Sequence, residues 1–154
     1  MEIPIHTLLY RAAHRQRNAL RPHLRELGLG PGQPRLLANL AGHGTVSQKQ
    51  LAEWLEVDPS AVCRMLDTLE KGGFVTRRAD RTDRRADAVG ITEKGRRAVE
   101  EWQRIGRDVD RQILRGFSEE EIRQFAGFLE RVRGNLAAAQ DGPDARATAE
   151  GGEG

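Results

Sequence analysis

Arginine is the residue type in this sequence best suited to recognition chemistry, and it is concentrated between residues 77 and 87. This stretch holds five arginines and three aspartates. Guanidinium groups form paired hydrogen bonds with phosphates and with guanine edges, so the cluster favours binding of a nucleic acid. A surface loop with local ion pairs, each contributing about 0–1 kcal/mol, would also explain the charges. It would not explain why they follow a pair of short capped helices.

A second set of candidate residues lies on one face of a predicted helix over residues 59–71. Asp58 as the N-cap, proline at the first helical position and two glycines after the end mark its limits. Three apolar residues turn inward, and the opposite face then presents Ser60, Ala61, Arg64, Asp67 and Thr68. Small residues in the first turn let the helix N-terminus approach a phosphate, and Arg64 can reach a base edge or a phosphate. A solvated face of mixed charge is the alternative interpretation of this helix.

The elements around these candidates form a recognisable scaffold. Ser47 and Gln50 predict a capping box that begins a short helix, and a three-residue turn separates this helix from the one that carries Arg64. Two helices joined in this way are a helix-turn-helix. The β-prone runs 74–78 and 86–91 flank the arginine-rich tip and predict a hairpin, or wing. Thr92 is expected to cap the helix that follows the wing.

Long amphipathic helices are predicted on both sides of this region. The first covers about residues 5–27, with a bend or interruption at Pro22, and the last two cover about 92–136, divided by a capping box at Ser118 and Glu121. A short helix over about 33–41 lies between, with Leu36, Leu37 and Leu40 as its core face, and AGHGT is expected to be a break. The helix that Ser47 begins is expected to turn Leu51, Ala52 and Leu55 inward. The fold class is therefore mainly α with a small β-wing. The long helices carry apolar residues that predict a partner surface, with a monomeric core as the alternative: Trp102, Val109, Phe125 and Leu129.

The last eighteen residues, 137–154, differ in composition from the rest of the chain. They are rich in Gly and Ala and hold four acids and one arginine, a net charge of −3. Since the whole chain carries +2, residues 1–136 carry +5. A segment of this composition buries too little apolar area to offset its chain entropy, so it is predicted to be a disordered tail.

Residues 60–96, SAVCRMLDTLEKGGFVTRRADRTDRRADAVGITEKGR, resemble the recognition helix and wing of MarR-family regulators. The wing signature of that family, Asp-x-Arg followed by a strand and Leu-Thr, has its counterpart in Asp83-Arg84-Arg85 and Ile91-Thr92. The order and spacing of six helices extend the resemblance over residues 5–136. Departures are Gly90, which weakens the second wing strand, Cys63, and a short segment before the first helix, which reduces the dimer interface.

The resemblance implies a single MarR-like domain over residues 1–136. Its winged helix would cover about residues 33–91, flanked by dimerisation helices at about 5–27 and 92–136. The implied protein is a homodimeric, ligand-responsive repressor that binds a pseudo-palindromic operator in double-stranded DNA. Two recognition helices about 34 Å apart would then meet successive major grooves.

The predicted DNA-binding residues come from the helix-turn-helix and the wing: Ser47, Ser60, Ala61, Arg64, Thr68, Arg77, Arg81, Asp83, Arg84 and Arg85. Arg85 is expected in the minor groove with Asp83 as its orienting partner, while Arg81 and Arg84 contact phosphates. Effectors of the family are commonly phenolic or anionic. The candidates for binding one are Tyr10, Arg11, His14 and Arg35, although ordinary surface or interface polar residues are the alternative interpretation.

Enzymatic function is not expected, because the sequence has no nucleophile elbow, paired-histidine helix or phosphate-binding glycine loop. No cofactor is predicted. His6, His14 and His23 are 8 or 9 residues apart, which places them about 12–13 Å apart on a helix, so no metal site is predicted. The sequence has no signal peptide and no membrane-spanning run, which predicts a cytoplasmic protein.

Two alternatives to a ligand-responsive regulator stay open. The first is a winged-helix module that binds proteins, although such modules usually lack an arginine-rich wing tip. The second is a redox-responsive regulator that uses Cys63, the single cysteine of the chain. Its position next to Val62 predicts a small buried residue, and a neighbouring arginine would favour the thiolate.

Overall fold

The computed structural model describes residues 2–79 and 87–141. Within these residues the chain forms six helices and three short strands: α1 (Ile5–Leu27), α2 (Gln33–His43), β1 (Val46–Ser47), α3 (Gln48–Leu55), α4 (Pro59–Lys71), β2 (Val75–Ala79), β3 (Asp87–Ile91), α5 (Glu93–Ile113) and α6 (Glu119–Asp141). The mainly α fold class with a small sheet is thereby confirmed. The chain divides after Asp110 into two compact units. The single domain over residues 1–136 stays a prediction.

Side-chain caps set the predicted beginnings of three helices. Gln50 donates its backbone N–H to Ser47 Oγ at 3.1 Å, and Ser47 donates its own N–H to Gln50 Oε1 at 3.2 Å. Glu121 and Ser118 repeat this capping box at α6 with distances of 3.2 and 2.7 Å. Thr92 Oγ1 accepts the N–H of Gly95 at 3.1 Å. These caps satisfy backbone donors that the first helical turn leaves without partners.

The N-terminal unit has one hydrophobic core, built from α2, α3, α4 and the sheet. The strands are antiparallel in the order β1-β3-β2, with Val89 opposite both Val46 and Arg77. The predicted inward faces are confirmed, because the largest fully buried side chains are Leu36, Leu37, Leu40, Leu51, Leu66, Leu69, Val62 and Val89. Each such side chain contributes about 1.5–3 kcal/mol when it leaves water. This core fixes α4 relative to the wing strands.

Four details differ from the sequence prediction. Helix α1 continues without interruption through Pro22, because one lost hydrogen bond does not end a helix whose next turns pack on the core through Leu24 and Leu27. Helix α6 extends to Asp141 rather than to 136, since alanines are good helix formers. Strand β1 directly follows the predicted AGHGT break and was not predicted, because two residues are too few to show an alternating pattern. Asp58 makes no capping bond to the backbone and accepts the Ser60 hydroxyl instead.

The start of α5 is packed tightly against the end of α4 and the beginning of β2. The backbone N–H of Thr92 donates to the carbonyl of Phe74 at 3.0 Å. A Cβ atom at Gly95 would overlap that same carbonyl oxygen and would lie 2.6 Å from Ile91 Cγ1. Glycine at position 95 therefore permits the close approach that connects the wing to α5.

Several large apolar side chains are exposed in each unit. In the N-terminal unit, α1 buries no side chain, and its exposed residues include Ile5, Leu8, Leu9 and Tyr10. In the C-terminal unit, the exposed residues are Ile113, Phe117, Phe125, Phe128, Leu129 and Leu136. The prediction of a partner surface needs one correction: Val109 is already buried and Trp102 half-buried within the N-terminal unit. Over the described ranges, no helix combines the length and apolar character needed to span a bilayer.

Candidate nucleic-acid interface

Helix α4 presents a polar face to solvent, directly opposite its buried residues. Ser60, Arg64, Asp67 and Lys71 follow one another at three- and four-residue steps along this face, and all four are exposed. The guanidinium of Arg64 has no hydrogen-bond or ion-pair partner among residues 2–79 and 87–141. None of these residues therefore uses the five donors of Arg64.

The other predicted contact residues of the helix-turn-helix have local partners. The Ser60 hydroxyl donates to the carboxylate of Asp58, and the Thr68 hydroxyl donates to the carbonyl of Arg64 at 3.2 Å. Ser47 Oγ accepts the capping bond of α3, and Ala61 is half-buried in the first turn of α4. A hydroxyl that donates one bond still has acceptor capacity, so these residues retain part of their hydrogen-bonding potential.

Arg77 lies against α4 rather than extending into solvent. Its Nη2 atom is 2.5 Å from Asp67 Oδ1 and 3.2 Å from Glu70 Oε1, and its side chain is 18% exposed. The hydrogen bond to Asp67 raises the pKa of the Arg77 guanidinium, with Glu70 adding to the effect and partial burial opposing it. The sequence placed Arg77 among the DNA contacts, whereas the structure places its guanidinium between two carboxylates. Asp67 and Glu70 were not predicted to have this role.

The tip of the wing lies outside the described residues. Arg81, Asp83, Arg84 and Arg85, which were predicted to contact DNA, belong to it. The strands on either side pair in a continuous antiparallel register from Val75 opposite Ile91 to Ala79 opposite Asp87. The roles of these four residues stay predictions.

Cys63 is exposed on α4, which corrects the expectation of a small buried residue. Consecutive residues of a helix are about 100° apart, so the residue after buried Val62 is turned away from the core. Among the described residues, no three histidine, cysteine, aspartate or glutamate side chains form a group able to hold a metal ion.

A cavity of about 300 Å³ lies within the N-terminal unit. It is lined by Arg17, Leu20, Arg21, Leu24, Pro31, Gly32, Pro34, Arg35 and Trp102. The lining combines apolar walls with three arginines and contains no acidic residue. A pocket of this composition suits a small ligand with an apolar or aromatic body and an anionic group.

The structure brings one of the four predicted effector residues to this cavity. Arg35 lines it, while Tyr10, Arg11 and His14 do not. Tyr10 and His14 instead stack on each other on α1, with ring centroids 6.2 Å apart. Arg17 and Arg21 were missed, although their four-residue spacing on an amphipathic helix is a signal that the sequence contains.

Arg35 also connects the cavity with the helix-turn-helix. Its Nη1 atom donates to the backbone carbonyl of Leu55 at 2.9 Å. Leu55 is the last residue of α3, and the turn that leads to α4 follows it. Arg35 therefore lines the ligand-sized space and also bonds to the element that precedes the recognition helix.

A family model and several solved structures match this chain, and they agree on the kind of protein that it resembles. A model of the MarR family matches residues 27–86. The solved structure of the transcriptional regulator SlyA is 27% identical, with a TM-score of 0.81 over 89% of this chain and 96% of that one. A probable transcriptional regulator from Pseudomonas aeruginosa is 28% identical, with a TM-score of 0.76 over 84% and 96%. The Staphylococcus aureus MepR–DNA complex, at 23% identity, shares the fold with a TM-score of 0.79 over 87% and 99%.

The winged helix and these matches together define a transcriptional regulator. The chain resembles MarR-family regulators over residues 27–86, and its fold is that of the transcriptional regulator SlyA.

Proposed function

We propose that this protein is a homodimeric repressor that binds a pseudo-palindromic operator in double-stranded DNA. The observation that carries the proposal is Arg64, an exposed arginine without a described partner at the centre of the solvent face of α4. A helix of this kind fits the major groove, where arginine reads guanine through two hydrogen bonds. The shared fold of a regulator solved in complex with DNA supports the same conclusion.

The remaining contact residues have distinct proposed roles. Ser47, Ser60 and Ala61 belong to helix N-termini, where backbone N–H groups attract phosphate, and Thr68 lies one turn beyond Arg64. At the wing tip, Arg81 and Arg84 contact phosphates, while Arg85 enters the minor groove and Asp83 orients it. Phosphate contacts position the protein, and the contacts of Arg64 and Arg85 carry the sequence preference.

The exposed apolar residues of both units support a dimer. Helix α1 and the C-terminal unit leave large apolar side chains in solvent, among them Ile5, Phe128 and Leu136, which are 60%, 56% and 54% exposed. Large apolar side chains exposed in this number are typical of protein–protein interfaces. A two-fold dimer would present two copies of α4 about 34 Å apart, one helical turn of DNA.

Footprinting on the DNA upstream of the protein's own gene tests this proposal. We expect protection of an inverted repeat of about 16–20 base pairs, with half-site centres one turn apart. Hydroxyl-radical cleavage, which reports on the minor groove, should also decrease on both flanks if the wings lie there. Protection of one half-site by a monomer, or no salt-dependent binding to any duplex, would contradict the proposal. The latter result would favour the protein-interaction module.

A second part of the proposal is that a small anionic ligand regulates DNA binding through the arginine-lined cavity. The cavity supports it by its size and its three arginines, and Arg35 by its bond to the end of α3. An anion that draws the Arg35 guanidinium toward the cavity would weaken its bond to Leu55. The turn before α4 would then lose one of its contacts to α2, and operator affinity would decrease.

Tryptophan fluorescence can test the ligand site, because Trp102 lines the cavity. In a Trp54→Phe background, we expect benzoate to change the emission of Trp102 and to weaken operator binding. Benzamide, which has the same shape without the charge, is the matched control and should do neither. Arg21→Gln should reduce the benzoate response. Equal responses to benzoate and benzamide, or none, would contradict an anion site.

The alternative of redox regulation is favoured by one observation, the exposure of Cys63 beside Arg64. An oxidised sulfur at that position would place a polar or charged group on the DNA-facing helix. Operator binding by the wild-type protein that is unchanged by peroxide would reject this alternative.

A further inference from the structure

Two carboxylates on the recognition helix present an electrostatic problem for DNA binding. Asp67 lies on the same solvent face as Arg64, and Glu70 lies one turn further along the helix toward β2. Both acids are exposed, with side-chain exposures of 53% and 43%. A polyanion that approaches this face would be repelled by both of them.

Arg77 on strand β2 is positioned to reduce this repulsion. Its Nη2 atom is shared between Asp67 at 2.5 Å and Glu70 at 3.2 Å. The backbone N–H of Arg77 also donates to the second carboxylate oxygen of Glu70 at 3.2 Å. One residue of the first wing strand thus contacts α4 through both its side chain and its backbone.

The geometry also opposes a direct contact between Arg77 and a phosphate. The side chain is 18% exposed, and Nη2 is already close to two carboxylates. Its neighbour Arg78 is exposed, and successive residues of a strand point to opposite faces. Arg78 therefore matches Arg77 in charge and in strand, but lacks its contacts with the two acids.

We propose that Arg77 is a positioning residue for DNA recognition, and that it acts through Asp67 and Glu70 without contacting DNA. It attaches β2 to α4 and offsets part of the negative charge of the recognition helix, so that Arg64 and the helix N-terminus can approach the duplex. With Arg77 the three groups carry a net charge of −1, and without it they carry −2. This inference rests on the proposed DNA binding.

A double-mutant cycle tests the proposal with the full-length protein and the tightest duplex selected from a random library. Arg77→Gln should weaken binding about tenfold or more, because it exposes two carboxylates to the phosphates. Adding Asp67→Asn should restore most of the lost affinity, since it removes one of those carboxylates. Adding Asp67→Asn to the control variant Arg78→Gln should not restore affinity in this way, because Arg78 does not contact Asp67.

The salt dependence of binding separates the two possible roles of Arg77. A lost phosphate contact lowers the slope of log K against log salt by about 0.9, whereas a positioning residue leaves the slope unchanged. Arg77→Lys, which keeps the charge, should retain more affinity than Arg77→Gln, and thermal unfolding monitors the fold of every variant.

Three results decide the matter. If the wild-type protein binds no duplex, the proposed function itself fails. If it binds, and Arg77→Gln lowers the slope without rescue by Asp67→Asn, Arg77 is a phosphate contact and this inference is wrong. If Arg77→Gln does not fold, the double variant Arg77→Gln with Asp67→Asn, which keeps the charge balance, is compared with the wild-type protein instead. Weak binding by that variant when folded, with a reduced slope, would likewise overturn the inference.

Discussion

Arginines of this protein differ in function because they differ in their neighbours. Arg64 extends from α4 without a described partner, Arg77 is held between two acids, and Arg35 donates to a backbone carbonyl beside a cavity. An arginine whose donors are already used has less to offer a phosphate or a base. At the scale of single residues, we therefore expect Arg64 to contribute to sequence preference and Arg77 to support it.

Arg64→Ala should relax the sequence preference of DNA binding and cost about 1–3 kcal/mol on the specific duplex if its side chain reads a base edge. A competition titration with specific and random duplexes measures this difference. A similar loss on both duplexes would mean that Arg64 contacts phosphate. No loss on either would remove Arg64 from the interface.

The elements of the N-terminal unit act as a single support for α4. Helices α3 and α4 share one core with the sheet, and the backbone of Phe74 connects the end of α4 to the start of α5 through its bonds with Leu69 and Thr92. A change that forces α5 away from Phe74 is therefore expected to disturb this support. Gly95 is the position where such a change is simplest to introduce.

Gly95→Ala should lower the free energy of unfolding by about 1–3 kcal/mol, because the new methyl group would overlap the Phe74 carbonyl and press on Ile91. Gly106→Ala in the same helix is the matched control, since its Cβ would meet nothing within 4 Å. The control should stabilise the protein by about 0.5–1 kcal/mol through helix propensity. Urea denaturation of both variants measures the two changes, and changes of equal sign would contradict this account.

At the scale of the whole molecule, the exposed apolar side chains are the surface that the proposed dimer would cover. Helix α6 buries none of its side chains, although Phe125, Phe128, Leu129 and Leu136 lie along it. A helix with such a face is stabilised by packing more than by its intrinsic propensity. We therefore expect these residues to be covered in a dimer.

Phe128→Glu should shift the dimer toward the single 17.2 kDa chain, because it places a charge on the most exposed phenylalanine. Gly127→Glu is the control, since it adds the same charge one residue earlier, about 100° around the helix and in open space. Sedimentation equilibrium gives the mass of each variant. A wild-type protein that is monomeric at all concentrations, or a control that dissociates equally, would contradict the assignment.

The sequence alone determined the features that depend on local physical chemistry. Periodic leucines predicted the core faces of α2, α3 and α4, and Ser47, Thr92 and Ser118 predicted three helix beginnings, because caps and amphipathic periods act within a few residues. Arg64 was identified for the same reason, since buried residues on one face of a helix define the other face.

Only the tertiary structure decided which distant side chains meet. Arg77 and Asp67 are ten residues apart on different elements, and Arg35 and Leu55 are twenty residues apart. Trp102 of α5 joins the residues of α1 and α2 at the cavity in the same way. Such contacts depend on how elements pack, which periodicity does not encode. The sequence therefore predicted neither the acidic partners of Arg77 nor the place of Arg17 and Arg21 at the cavity, because the partner of a long, flexible, charged side chain is set by the fold around it.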